Sequence, residues 1–245
     1  MKKNIYLFLA SVAILSFSSC EDTSVKALDT SFASFVTNTL DIGVEAGSET
    51  SKEVKIYTTN ITSSDRSIPV MIAEGTDADA GAYSVPSTVT IPSGSNVGTM
   101  NIDIKDVGLE LSTDKSLVLR LESSDEMITG ETLTVALSQL CPNSGIKVKL
   151  NLTFDSWPEE AAWRIKDASG AVVLASITPF NYGAYTGMAG SSITIADCLA
   201  SGTYTMEVYD QYQDGGTDYS VTANGVLVFS ASGNYGAGTS SSFTI

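Results

Sequence analysis

IKVKLNLTFD, residues 146–155, decides the fold. Ile146, Val148, Leu150, Leu152 and Phe154 alternate with Lys147, Lys149, Asn151, Thr153 and Asp155. Successive side chains of a strand point to opposite faces, so this stretch has one apolar and one polar face: a half-buried β-strand. The same period recurs upstream. Met100, Ile102 and Ile104 alternate with Asn101, Asp103 and Lys105, and Leu117, Leu119 and Leu121 follow with Arg120 and Glu122 among them. Helical periodicity is nearly absent once the first twenty or so residues are passed. Turn signals punctuate the strands at Pro92-Ser93-Gly94, Asp167-Ala168-Ser169-Gly170 and Asn224-Gly225. Asn-Gly supplies the positive φ angles of a type I′ hairpin turn. Short, regularly spaced strands of this kind predict an all-β chain built from immunoglobulin-like or jelly-roll-like β-sandwiches.

Two such sandwiches are expected, divided at residue 141. The stretch Cys141-Pro142-Asn143-Ser144-Gly145 breaks the strand pattern, and its Pro and Gly favour a turn. Charge shifts there too: residues 21–140 hold 7 basic and 19 acidic residues, and residues 141–245 hold 4 and 9. The expected division is 1–19 leader, 20–34 anchor and tether, 35–140 first sandwich, 141–245 second sandwich.

The leader reading rests on Lys2 and Lys3 ahead of an apolar run from Ile5 to Phe17. That run is short of the roughly 20 residues a spanning helix needs, and reads as a secretory signal. The small residues before Cys20 resemble the bacterial lipobox, with Phe17 where Leu is usual. The resemblance implies cleavage before Cys20 and lipid on its sulfur and amine. The alternative is an ordinary secretory signal that leaves Cys20 a thiol. Glu21 and Asp22 look like the acidic export signal of surface lipoproteins in Gram-negative bacteria. That would place the protein at the outer membrane, lipid-anchored and facing outward; the alternative is a plain tether facing the periplasm.

Without residues 1–19 the chain holds 11 basic and 28 acidic residues, a formal charge of 11 − 28 = −17. Nucleic-acid binding needs a basic patch to displace counterions, so this charge argues strongly against that role. Lying on anionic lipid is disfavoured for the same reason. Divalent cations and neutral partners such as glycans are favoured. There is no histidine. Ser-His-Asp and Cys-His catalysis and the usual zinc sites are therefore out of reach. If Cys20 is lipidated, Cys141 and Cys198 remain as a pair, either a disulfide in an oxidising compartment or two buried thiols.

Residues Ile91 to Ile104, IPSGSNVGTMNIDI, and the later LVLRL strand, Leu117 to Leu121, resemble Calx-beta-like domains and related modules of surface lipoproteins. The resemblance covers about 110 residues and implies an immunoglobulin-type sandwich. Some relatives bind calcium through acidic end loops. Asp77, Asp79 and Asp106 are acidic loop residues here, read as solvated. In the second half, DSWPEEAAWRI, Asp155 to Ile165, resembles a D-x-Y-P-x-E-T-x-W-x-L signature. YDQYQDGG, Tyr209 to Gly216, resembles its partner Y-D-S-Y-G-D-G. The two occur together in a small secreted β-sandwich module without an established reaction. Trp157 stands for the Tyr, Ala161 for the Thr and Arg164 for an acidic position.

Asp210, Asp214 and Asp218 sit four apart around a Gly-Gly pair, on a loop after an expected strand Tyr204–Tyr209. Asp155 and Glu160 join them if the two signature loops meet at one end of the sandwich. Calcium takes six to eight oxygens, and such a loop offers an extracellular site with a dissociation constant on the order of 0.1–1 mM. It is not an EF-hand, which needs D-x-D-x-D-G and a later Glu. The alternative is a turn in which Asp210 and Asp214 bond their own backbone.

Trp163 shares a strand face with Ile165 and is expected in the core. Trp157, beside Pro158, is expected to be exposed. With Tyr212, Tyr182, Tyr185 and Tyr219 it would make a sugar-stacking platform; packing is the alternative use. FNYGAYTGMAG, Phe180 to Gly190, lacks the Lys or following helix of a phosphate loop. An acid/base pair such as Glu159 with Asp210 can be imagined, and nothing in the spacing shows the cleft that glycosidase chemistry needs. The reading is a non-catalytic surface lipoprotein that binds or scaffolds, with outer-membrane lipid and a glycan or surface protein as partners. A carbohydrate-binding accessory of a glycan-uptake system is the rival, and an adhesin or stalk the third reading.

Overall fold

The computed structural model describes residues 31–245. Cys20, Glu21 and Asp22 lie outside them. Ten strands make up the first half: β1 Phe32–Phe35, β2 Thr39–Glu45, β3 Glu49–Thr58, β4 Arg66–Ile72, β5 Tyr83–Ser84, β6 Thr88–Ile91, β7 Val97–Lys105, β8 Lys115–Leu121, β9 Ile128–Thr129 and β10 Leu133–Leu140. Eight follow: β11 Ile146–Thr153, β12 Ala161–Asp167, β13 Val172–Ala175, β14 Ser192–Leu199, β15 Thr203–Asp210, β16 Asp218–Ala223, β17 Val226–Ala231 and β18 Gly238–Thr244. The only helical elements among the described residues are two 3-10 turns, Pro142–Ser144 and Pro158–Glu160. No described helix is long and apolar enough to cross a membrane. The fold is all-β.

In the first half, β5-β7-β3-β1-β9 and β2-β10-β8-β4-β6 form two five-stranded sheets. All neighbours are antiparallel except β1 with β9 and β10 with β2. The inner faces carry Ile56, Ile102, Ile104, Leu117, Leu119, Leu133 and Leu137, all fully buried in one cluster. Each such side chain contributes about 1.5–3 kcal/mol on leaving water. Met100, Ile102 and Ile104 point inward and Asn101, Asp103 and Lys105 outward, as their alternation predicts.

In the second half, β14-β11-β16-β17 and β13-β12-β15-β18 form two four-stranded sheets. Val148, Leu150, Leu152 and Phe154 are buried along the opening stretch and pack with Trp163, Ile165, Met206, Val208 and Val221. Asn224 (φ 46°) and Gly225 (φ 80°) make the turn between β16 and β17. Cys141 and Cys198 form a disulfide with Cα atoms 5.6 Å apart. It ties the segment before β11 to β14, the strand that pairs with β11.

One boundary differs from expectation. Residues 32–34 belong to β1, not to a tether, and Ala33 is fully buried. Four residues, Phe-Ala-Ser-Phe, are too few to show a period, and their strand exists because β3 and β9 pair with them.

Candidate functional site

The chain leaves the sheet after β11, and Asp155 Oδ1 accepts a hydrogen bond from Trp157 N (2.8 Å). This Asx turn feeds the 3-10 turn Pro158–Glu160, where Glu160 N donates to Trp157 O (3.1 Å). Pro158 is buried and opens that turn, which delivers Glu160 inward at 8 % exposure, directly before β12. β15 ends at Asp210, in register opposite Ala161, the first residue of β12. Glu160 and Asp210 therefore stand beside each other at one end of the sheet. Gln211 N donates to Glu160 O (3.0 Å) and ties the two loops together.

Asp210 is 5 % exposed, and its Oδ1 accepts from Gln213 N (2.5 Å) and Asp214 N (3.2 Å). Those bonds fold the loop back so that Asp214 comes over the pair. One carboxylate oxygen each from Glu160, Asp210 and Asp214 lies within 4.8 Å of the others. The Gly-Gly pair is required for the return. A Cβ on Gly215 would meet Gly233 O at 1.9 Å, and one on Gly216 would meet Asp155 Oδ2 at 2.4 Å.

The electrostatics are one-sided. Among the described residues Glu160 has no hydrogen-bond or ion-pair partner for its carboxylate. Burial pushes its carboxyl above the usual range, and the charges of Asp210, Asp214, Glu159 and Asp155 push it further. The nearest strands hold cations, but these are spent elsewhere. Arg164 Nε and Lys166 Nζ donate to Glu207 at 2.5 and 2.8 Å. Burial alone would raise the Glu207 carboxyl; bonds from Lys166, Arg164 and Tyr209 outweigh it and hold it at about 2. Burial pushes the phenol of Tyr235 up to about 12, with the Asp210 charge adding to it. A lone Tyr in a Gly-rich turn carries no signal of that placement.

The other expected residues divide. Asp155 stands at the edge of the cluster, its charge acting on Glu160 while Oδ1 holds the Asx turn. Asp218 does not join it. The chain has already reversed through Gly215 and Gly216 and entered β16, and Asp218 Oδ1 accepts from Gly233 N (2.6 Å). Trp157 and Tyr212 are exposed, at 59 % and 71 %. Trp163 is buried as expected, its Nε1 donating to Tyr185 Oη (2.7 Å). That bond, and a ring contact of 4.7 Å with Phe154, takes Tyr185 into the core, where Tyr219 also lies. Neither can serve a sugar platform, because the sandwich interior claims both rings. Tyr182 is half-buried. Gly183 N donates to Glu159 O (2.8 Å), so the glycine-rich segment closes on the carboxylate turn. As an acid/base partner for Glu159, Asp210 is poorly suited: one of its oxygens is committed to two backbone amides.

Two of the three acidic loop residues of the first half are satisfied by hydrogen bonds, and the third, Asp79, is exposed. Asp77 Oδ1 accepts from Ser116 N, and Asp106 accepts from Gly47 N and Gln139 Nε2. Asp79 lies against Gly108, where a Cβ would meet Oδ2 at 2.0 Å.

No protein family and no curated protein matches this chain. Solved structures do resemble it. A multidomain protein including DUF1735 from Bacteroides ovatus is 13 % identical at a TM-score of 0.40, over 87 % of this chain and 95 % of that one. A protein of unknown function from Bacteroides ovatus is also 13 % identical at a TM-score of 0.40, over 87 % and 92 %. The apo-form Calx CBD1 domain is 16 % identical at a TM-score of 0.38, over 45 % of this chain and 98 % of that one. Likeness at this level carries no argument about what the chain binds.

Proposed function

We propose that the chain is a non-catalytic binding module stabilised by a divalent cation, best fitted by calcium, at Glu160, Asp210 and Asp214. The observation that carries this reading is Glu160: a residue only 8 % exposed, without a hydrogen-bond or ion-pair partner among the described residues, whose carboxylate stands beside two others. Partly desolvating an unpaired carboxylate is costly, and like charges nearby add to the cost. A dication relieves both. An all-oxygen donor set suits hard cations. Three carboxylates on loops supply three to six oxygens, with water completing the six to eight that calcium accepts in flexible geometry; magnesium demands a stricter octahedron.

The test is thermal unfolding and calorimetric titration of the chain without its leader, in calcium and in EDTA. At 100 dissociation constants, calcium should stabilise by about 2.7 kcal/mol, a rise on the order of 10 °C for a sandwich of this size. Glu160→Gln and Asp214→Asn should abolish the rise. An identical midpoint in both buffers overturns the reading. Also part of the proposal is that Cys20 carries lipid and that Glu21 and Asp22 direct the chain to the outer surface. Labelled palmitate incorporation lost in Cys20→Ala, and protease shaving of intact cells, test those two steps.

A further inference from the structure

We infer that Trp157 and Tyr212 flank the cation as stacking surfaces, and that the ligand is a neutral saccharide whose adjacent hydroxyls complete the cation's coordination. This rests on the cation reading above. Three observations converge on it. First, the two rings are the most exposed aromatics of the described second half, with Phe180 next at 37 %. Trp163, Tyr185, Tyr204 and Tyr219 are all buried, whereas Trp157 and Tyr212 are 59 % and 71 % exposed. Folding has found no internal use for these two large apolar surfaces, one on each of the two loops that carry the carboxylates.

Second, both rings sit on backbone held by the site itself. Trp157 N donates to Asp155 Oδ1 and Trp157 O accepts from Glu160 N. Tyr212 lies between Gln211, whose N–H donates to Glu160 O, and Gln213, whose N–H donates to Asp210 Oδ1. Anything that orders Glu160 and Asp210 orders the platform too. Tyr and Trp make contact area at low entropic cost, having two χ angles each.

Third, the charge selects the ligand class. Three carboxylates around one dication leave the centre at −1, in a chain of charge −17 without its leader, and no Lys or Arg follows Lys166. Anionic ligands are repelled. A neutral polyol offers what remains wanted: oxygen donors for the open cation positions, and C–H faces for the rings.

The experiment is affinity gel electrophoresis of the chain without its leader. It runs through a panel of neutral polysaccharides (mannans, glucans, galactans and xylans), with calcium and with EDTA, beside the thermal shift. The expected result is retardation by at least one polysaccharide in calcium, lost in EDTA. Retardation should weaken at least tenfold in Trp157→Ala and in Tyr212→Ala, both of which keep the calcium-dependent rise in midpoint. If that rise is present but the whole panel fails to retard the chain, or retardation survives Trp157→Ala and Tyr212→Ala, the saccharide inference is overturned and the cation reading stands. Retardation that persists in EDTA overturns the bridging role of the cation. Calcium-dependent dimerisation on size exclusion, lost in Trp157→Ala, would make the occupant a second copy of this chain and overturn the saccharide. A missing rise takes down the cation reading first.

Discussion

Both halves of the chain put aspartates on the end loops of a β-sandwich, and among the described residues only the second gathers carboxylates into a candidate site. Asp77 and Asp106 each accept hydrogen bonds from neighbouring strands or loops, so folding has already satisfied them. In the second half Asp210 is half satisfied and Glu160 not at all. The lesson is that the count of carboxylates does not mark a cation site; unmet bonding capacity does. A carboxylate that accepts backbone N–H groups is at rest, whereas one desolvated among like charges without a donor favours a cation beside it.

That contrast can be tested from its largest expected effect downward. The disulfide links Cys141 to Cys198, both within the second half. Closing its 57-residue separation is worth about 4 kcal/mol in the chain-entropy model. Dithiothreitol, or Cys198→Ser, should lower the calorimetric transition that carries the Trp163 core and leave that of the Ile104 core in place. Equal movement of both transitions would show that the two cores melt as one unit.

Glu207 comes next. Its folded value of about 2 lies below the ordinary 4.5, so its contribution is complete above about pH 5 and fades as pH falls through 4.5 toward 2. The shift corresponds to at most about 3 kcal/mol. Glu207→Gln should lower the second transition at pH 7 and bring mutant and parent together by pH 2; a constant gap across that window would contradict the role given to Arg164 and Lys166.

The calcium rise, about 2.7 kcal/mol at 100 dissociation constants, should vanish in Glu160→Gln and Asp214→Asn. It should be untouched by Asp77→Asn, Asp79→Asn and Asp106→Asn, and its loss in any of those three would erase the contrast between the halves. Asp106→Ala should cost about 1 kcal/mol through its bonds to Gly47 and Gln139, equally in calcium and EDTA. The smallest effect is also the sharpest. In EDTA, Glu160→Gln should raise the midpoint slightly, because it removes a partly desolvated charge repelled by Asp210 and Asp214. In calcium it should lower it. The same sign in both buffers would mean that Glu160 is a structural residue only.

Much of the architecture is legible along the chain because a strand's period is local. The runs at 100–105 and 146–154 announce their inner faces, and Asn224-Gly225 announces its hairpin, from a few adjacent residues each. The burial of Trp163 follows the same way from Ile165 on its strand face, whereas the sequence left Cys141 and Cys198 open between a disulfide and two thiols, and the fold joins them. β1 escapes that logic, since Phe32–Phe35 is a strand only through pairing with β3 and β9. The candidate site was half legible. Both loops and four of their acidic residues, Asp155, Glu160, Asp210 and Asp214, are visible as motifs. Even spacing wrongly drew in Asp218, because nothing in the spacing shows where a Gly-Gly pair reverses the chain.

Sequence alone determined the fold class, the absence of histidine chemistry, the excess of negative charge and the two loops that carry carboxylates and aromatics. Each of these is a property of composition or of short-range alternation. Tertiary structure decided that Ala161 pairs with Asp210, which sets Glu160 beside Asp210 across 50 residues of chain. It also decided that Tyr185 and Tyr219 turn inward while Trp157 and Tyr212 stay in solvent. Register between distant strands and competition for core volume are settled only when all the partners are in place, so a chemical site assembled from them is readable only from the fold.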